Sequence, residues 1–485
     1  MSAVPCTPST AIAPARRCAF VVLRRVFERG AYADLALHAE AAGLDARDRA
    51  LAMRLAYGAV QRKGTLDHLI EQLARRPVQR LDPPVLAALR LGLYELLYLS
   101  GSPDYAVVAD AVQLAKTHGR GGHGLVNAVL RRAGREGAAG LLGPLGDDTP
   151  ARAAVKHSHP EWIARLWWDH LGADDARALM AYDNEPGELA LRVNTLVTDA
   201  QTLATQLGSA GVRAHRDAQL SEALVLDGPL DIHDSPLWSA GAFMAQSRAA
   251  MLVARALAPR PGERVLDLCA APGGKATHLA ALMEGGGELL AVERNRRRAA
   301  ELARTAQRLR AGNVRVEVGD AARVRAGEPA FDRVLVDPPC SGLGTLQARA
   351  DLRWRVTPSA VEQMAAEQAA ILAAGAAALR PGGVLVYSTC TISPTENEHV
   401  IGTFLDAHAD FRLDDLASEL PALAPDPPRP TGLDGTHRAS AAGAGEQPAS
   451  AGDMAAAAGD MARAVLTLPH RDHTAGFFIA RLRRS

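Results

Sequence analysis

The feature that most constrains this chain is an alternation between about residues 264 and 407. Short apolar runs fall at 264–268, 288–293, 314–318, 332–336 and 383–388, and helix-length stretches fall at 275–283, 296–310, 359–379 and 396–407. Strands separated by helices pair through crossovers, which gives a parallel sheet with helices on both faces. In such a sheet, ligands and chemistry collect at the carboxyl ends of the strands. Here the first strand runs into Asp267-Leu-Cys-Ala-Ala-Pro-Gly-Gly-Lys275. The fourth runs into Asp337-Pro-Pro-Cys-Ser-Gly-Leu-Gly344, and the fifth into Ser388-Thr-Cys-Thr391.

A chain of 485 residues exceeds one ordinary core. From about residue 15 to 140 apolar residues recur at helical spacing, as in Phe20, Leu23, Val26 and Phe27, then Leu86, Leu89, Leu93, Leu96 and Leu97. This predicts an all-α bundle. Residues 136–150, Gly-rich with Asp147-Asp148 and Pro150, read as a linker. Residues 151–235 mix helices with strand-like pieces such as Leu189–Asn194 and Ala223–Leu226, which predicts a small α+β connector. An α/β domain follows over 236–485, ending in a strand within Gly476–Leu482. Residues 1–14 and an insertion at 421–462, rich in Pro, Ala, Gly and Ser, read as disordered.

Lys+Arg and Asp+Glu both number 54, so no global field draws nucleic acid to the chain. Any such binding rests on local patches. The candidates are arginine groups: Arg16-Arg17, Arg24-Arg25, Arg131-Arg132, and Arg294 with Arg296-Arg297-Arg298. Solvated helix faces are an equally good account of each. Five cysteines (Cys6, Cys18, Cys269, Cys340, Cys390) are too few, and odd in number, for a disulfide framework, and none has zinc-site spacing. No apolar run suits a signal peptide or a membrane span. The expectation is a cytoplasmic monomer with no metal and no membrane partner.

The Asp267–Lys275 segment is a strand, a turn of small residues and a helix start. Small residues let backbone approach a ligand, and a helix start offers free N–H groups to an anion. Neither the dinucleotide fingerprint nor a P-loop has this spacing. A ligand with a carboxylate and an adenosine, such as S-adenosylmethionine, fits. Glu293, ending the second strand, is placed to accept ribose hydroxyls. Asp320, after the third, is placed for the adenine amino group. Taken singly, each acid is better explained as a solvated strand end, and a ligand-free turn is the bland account of the loop. Asp337 could bond a flipped cytosine. A lone cysteine is most often a small buried hydrophobe; two at one sheet edge point to chemistry. Cytosine C5 is a poor nucleophile, and a thiolate adding to C6 activates it. Lys275 could favour that thiolate.

These segments, with Glu396-Asn-Glu398, resemble the motifs of the Sun-type family of RNA cytosine-C5 methyltransferases. The resemblance covers about residues 236–410 and resumes at Leu468-Pro-His470 and Gly476-Phe-Phe. Leu55-Ala-Tyr-Gly, Leu66-Asp-His-Leu, Leu91-Gly-Leu-Tyr-Glu-Leu-Leu and Val126-Asn-Ala-Val-Leu-Arg-Arg132 are similar to the RNA-binding domain of antitermination factor NusB. Together they imply a bacterial 16S rRNA methyltransferase. Its parts would be a NusB-like bundle, an α+β connector and a Rossmann-like class I S-adenosylmethionine methyltransferase domain. The resemblance implies Cys390 as nucleophile and Cys340 as the residue assisting release. It implies cofactor and base contacts from Cys269, Ala270, Ala271, Pro272, Gly273, Gly274, Lys275, Glu293, Asp320 and Asp337. Departures are Glu293 and Ala475, where the family has Asp, and Gln246-Ser247, where it commonly has Gln-Asp. Three alternatives stay open: Cys340 as the nucleophile, tRNA as the substrate, and a non-catalytic RNA-binding protein.

Overall fold

The helical periodicity of the first third of the chain builds a bundle whose stripes meet along the helix Pro83–Tyr98. That helix buries Leu89, Leu91, Leu93 and Leu97, and the helix Pro14–Arg29 buries Phe20, Val22, Leu23 and Val26 in the same core. A Cβ on Gly92 would lie 2.6 Å from Leu130, so glycine there lets the helix His123–Leu142 approach closely. The computed structural model describes residues 12–228, 230–232, 235–323, 330–420 and 462–485. The expected tail up to residue 11, and all of the expected insertion except residue 462, lie outside them. Packing divides the chain into two units. One holds Met1–Glu185 with Leu346–Arg355, and the other holds Pro186–Thr345 with Val356–Ser485.

Two expectations for the first unit need correction. The stretch expected as a linker from 136 breaks the helix at Gly137 (φ 68°, ψ 172°) and then resumes as a short helix to Leu142. Arg16 is not a free phosphate contact. Glu95 takes its Nε and Nη2 at 2.8 and 2.7 Å, and Asp110 takes Nη1 at 2.8 Å. Arg24, Arg25 and Arg132 are likewise paired, with Glu28, Glu40 and Glu136. The helices of 150–182 pack with this unit. Leu346–Arg355 returns to this unit from the second. Ala350 and Trp354 join its core. Arg353, fully buried, donates to the carbonyls of Ser158 and Asp183 and to Asn184 Oδ1.

The second unit holds two sheets. The smaller is antiparallel, in the order β2 (Ala214–Arg216), β3 (Ala223–Leu226), β1 (Ala190–Val193), β4 (Phe243–Ala245). The larger contains β5 (Arg264–Asp267), β6 (Glu288–Glu293), β7 (Val314–Val318), β8 (Phe331–Val336), β9 (Leu379–Thr389), β10 (Phe411–Leu413), β11 (Val465–Leu466) and β12 (Phe478–Arg484). Its order is β10-β12-β9-β8-β5-β6-β7, with β11 paired to β12. The five strands β7-β6-β5-β8-β9 are parallel, as the alternation predicts. β12 is antiparallel to both β9 and β10, so the sheet is mixed. Successive residues face opposite cores. Val265, Leu335, Val384, Val386 and Ile479 pack on one face, and Leu266, Val334, Val336, Leu385, Tyr387 and Phe478 on the other. From β5 the chain steps outward to β6 and β7, then returns to place β8 on the opposite side of β5. That reversal is the crevice where open α/β sheets bind ligands.

Candidate active site

Strand register brings the three segments together. Asp267 lies beside Leu335 in the β5–β8 pair, and Val336 beside Tyr387 in the β8–β9 pair. The chain after β5, β8 and β9 therefore emerges at one edge. Leu268 N–H donates to Leu335 O and Ala270 N–H to Val292 O, pinning the loop between two strand ends. Gly273 caps the helix Gly274–Leu282 at φ 105°, and a Cβ there would meet Leu302 at 2.7 Å. Only glycine fits on both counts.

Asp337 accepts from Lys275 Nζ at 2.7 Å through one oxygen and from Ser388 Oγ at 2.8 Å through the other. Lys275 Nζ also stands 4.9 Å from the centre of the Phe477 ring. Burial disfavours the lysine charge, but Asp337 and the neighbouring Cys390 outweigh it and its pKa is raised. A lysine cation and a Cys390 thiolate therefore stabilise one another.

The sulfurs of Cys340 and Cys390 are 3.3 Å apart. The hydrogen bond to Cys390 and burial push the Cys340 thiol well up, so it holds its proton. Cys269 is also held as a thiol, by burial and by the charges of Asp267, Asp337 and Glu293. Asp267 is 1% exposed, and neither carboxylate oxygen has a hydrogen-bond partner. Burial, then the charge of Asp337, pushes its pKa up to about 7 against the opposing influence of Lys275 and of the nearby Cys269 N–H, which falls short of hydrogen-bond geometry.

Behind the thiols lies a layer of buried polar groups. Glu396 accepts from Ser341 N–H at 2.8 Å, from Gln368 Nε2 at 3.0 Å and from the Ser341 hydroxyl. The hydroxyls of Ser341 and Thr391 are 2.6 Å apart. Gln368 also donates to Pro339 O at 2.9 Å, and Tyr387 Oη donates to Gln368 Oε1 and Glu396 O. Gly344 N–H donates to Cys390 O, and Gly476 N–H to Gly344 O. A Cβ on Gly344 would lie 2.0 Å from Gly476 O.

The structure thus joins Cys340, Cys390, Asp337 and Lys275 in one cluster beside the 269–275 loop. Glu293 and Asp320 lie one and two strands farther along. Glu293 is buried and accepts from Asn295 N–H at 2.8 Å. Asp320 is exposed and accepts from Ala322 N–H at 3.1 Å. Sequence reasoning did not assign Asp267, Ser388, Gln368, Glu396 or Phe477. It also missed Arg192, which is buried and donates from β1 to Gln246 Oε1, Gly274 O and Thr277 Oγ1 beneath the cofactor-type loop. The departure at Ser247 is benign, because its hydroxyl caps the helix Arg248–Leu257 as Asp would.

The family model described as 16S rRNA methyltransferase RsmB/F matches residues 254–483. A curated protein of Synechocystis, "Probable ribosomal RNA small subunit methyltransferase B", is 35% identical over 97% of this chain and 99% of its own. The chain belongs to the 16S rRNA methyltransferase RsmB/F family. Other members include a Bacillus subtilis protein carrying the same name, 35% identical over 84% of this chain and 91% of its own. "Ribosomal RNA small subunit methyltransferase B" of Thermus thermophilus is 37% identical over 78% and 83%. The NusB family model matches residues 13–135, and a ferredoxin-like domain described for RsmF/B-like methyltransferases matches residues 159–233. The solved structure titled PH0851 has a TM-score of 0.74 at 26% identity and covers 98% of this chain, with 99% of its own. A "Methyltransferase Homolog Protein" from Pyrococcus horikoshii has a TM-score of 0.56 at 28% identity, covering 70% and 99%.

The expected NusB-like bundle, small connector and α/β methyltransferase domain are therefore all present, and as an RsmB/F member the chain is an rRNA methyltransferase. Among the described residues no helix is long and apolar enough to cross a membrane, and no group of three or more His, Cys, Asp or Glu is arranged to hold a metal ion.

Proposed function

We propose that this protein methylates C5 of a cytosine in 16S rRNA in the cytoplasm, through a transient bond between Cys390 Sγ and cytosine C6. The observation that carries this reading is the pair of sulfurs 3.3 Å apart beside the Lys275–Asp337 ion pair. A lone structural cysteine needs neither a second thiol nor a lysine next to it.

The edge fits S-adenosylmethionine. Asp267 offers a buried carboxylate with no partner, suited to the ammonium of the methionine moiety. Glu293 suits the ribose, Asp320 the adenine, and the backbone of Cys269 to Gly274 with the helix start at Lys275 suits the carboxylate. When bound, that cofactor supplies an electrophilic methyl group on a sulfonium.

The residues of the chain divide the remaining work. Cys390, favoured as an anion by Lys275, attacks C6 of the extruded base and makes C5 nucleophilic. Asp337, held by Lys275 and Ser388, faces the base's exocyclic amine. After methyl transfer, the C5 proton must leave so that the C5–H electron pair can rebuild the C5=C6 bond and expel the Cys390 thiolate. Cys340 assists this step. Its proton is held largely by the interaction with Cys390. Once Cys390 is a thioether that influence is gone; Cys340 gives its own proton to solvent, its thiolate takes the C5 proton, and the C6–S electron pair returns to Cys390. This division of labour favours Cys390 over Cys340 as nucleophile. The reaction as written uses one chain and no metal.

The test is trapping with RNA containing 5-fluorocytosine, which blocks loss of the C5 substituent. The expected result is a covalent adduct on Cys390 with 16S rRNA and not with tRNA. An adduct on Cys340 or with tRNA, or no cofactor-dependent adduct at all, would overturn the corresponding part of the reading.

A further inference from the structure

The two thiols are held by different means. Cys390 follows directly on β9, which is hydrogen-bonded on both sides, to β8 and β12, and the Cys390 carbonyl accepts from Gly344 N–H. Its position comes from the sheet and from Asn397, whose side chain accepts from Thr389 Oγ1 and donates to Thr391 O. Cys340 lies in a loop where Pro338 and Pro339 supply no N–H donors. Its two flanks are fixed by a different pair of side chains. On one side Pro339 O accepts from Gln368. On the other Ser341 N–H donates to Glu396. Gln368 and Glu396 bond each other at 3.0 Å, and both are fully buried. The Ser341 hydroxyl, between Glu396 and Thr391, then ties the Cys340 loop to the residue after Cys390.

We propose that Glu396 is a positioning residue that holds Cys340 in contact with Cys390, and that this contact governs release of the covalent RNA adduct more than its formation. The proposal rests on the covalent reading above. Replacing Glu396 by Ala leaves Ser341 N–H and the Gln368 amide without their acceptor in a sealed site. The Cys340 loop shifts while the sheet keeps Cys390 in place. Cys390 still attacks C6 and C5 is still methylated, but proton removal from C5 and expulsion of the thiolate slow. Glu396→Gln keeps one acceptor oxygen for Ser341 N–H and Gln368, and its amide can donate to the Ser341 hydroxyl, which can turn toward Thr391.

The experiment incubates the full-length protein with protein-free small-subunit rRNA from cells lacking this gene and with methyl-labelled S-adenosylmethionine. Covalent protein–RNA species are then resolved on denaturing gels. Glu396→Ala is expected to accumulate a methylated adduct, as Cys340→Ala does, with turnover reduced on the order of 10- to 100-fold and the cofactor KM nearly unchanged. Glu396→Gln is expected to recover most of the turnover and to accumulate little adduct. If Glu396→Ala does not fold, Gln368→Leu, which removes the donor to Pro339 O, takes its place with the same expected adduct. An adduct with Cys340→Ala but none with Glu396→Ala or its substitute overturns the proposal and leaves the covalent reading standing. So does Glu396→Ala turnover equal to wild type, or a Glu396→Gln variant as slow as Glu396→Ala. No adduct in any variant overturns the covalent reading, and the proposal with it.

Discussion

The two halves of the crevice are built differently. At the ends of β8 and β9 the polar groups that flank the thiols are multiply bonded: half-buried Asp337 through both oxygens, buried Glu396 through three donors and buried Gln368 through three partners. At the ends of β6 and β7, Glu293 and Asp320 each accept from a local backbone N–H, and Asp320 is exposed. Bond-making requires reacting atoms within a few tenths of an ångström of one geometry, and a fully satisfied buried network supplies that rigidity. Binding a nucleoside tolerates water and small adjustments. The contrast predicts that damage at the thiol end appears in turnover, and damage at the other end in cofactor affinity.

The largest effect tests the thiol end directly. Cys390→Ala should lower methyl transfer on the order of a thousandfold or more, since the nucleophile has no substitute. Cofactor binding, measured by calorimetry, should survive; if both fell together, the division would be wrong. Cys340→Ala should reduce multiple turnover by about a hundredfold while a burst of one methyl group per enzyme persists in rapid-quench assays.

Asp267 lies between the two halves and sharpens the comparison through pH. Its folded pKa is about 7, above the ordinary 3.8. The native state therefore holds a proton that the unfolded chain has lost between about pH 4 and 7. Stability of the cofactor-free protein falls as pH rises through that window, by at most about 4 kcal/mol, and the loss is complete above it. Asp267→Asn should flatten this slope and raise the melting temperature at pH 8 by several degrees, while weakening cofactor binding about tenfold. A variant no more stable than wild type at pH 8 would show that the carboxylate finds a partner without cofactor. The smallest effects belong to the nucleoside end. Glu293→Gln should raise the cofactor KM about tenfold, and Asp320→Ala only a few-fold because water competes for its contact, both with kcat nearly unchanged.

What could be foreseen follows from where information sits along the chain. The loops ending β5, β8 and β9 are contiguous motifs, and strand alternation alone places them at one edge. Glu396 is also in a motif, but its role depends on Gln368, 28 residues earlier on a helix of otherwise ordinary composition. Asp267 looked like the start of a loop motif, because only packing shows that it has no partner. Arg16 and Arg17 look alike in sequence. The acids that take Arg16 away from solvent lie 79 and 94 residues downstream. The turn of helix that resumes after Gly137 is hidden by glycine content, since Gly137 itself breaks the helix at positive φ.

The return of Leu346–Arg355 to the first unit has a consequence for how such a protein can be taken apart or assembled by gene fusion. A fragment beginning at Pro186 would carry Arg353 and Trp354 without the carbonyls of Ser158, Asp183 and Val60 that receive their hydrogens. A fragment ending at Glu185 would lack the strip that fills its core at Ala350. The two parts are stitched by three crossings of the backbone rather than one, so a lineage swapping the leading module for another would have to recode the ten residues after Thr345 as well.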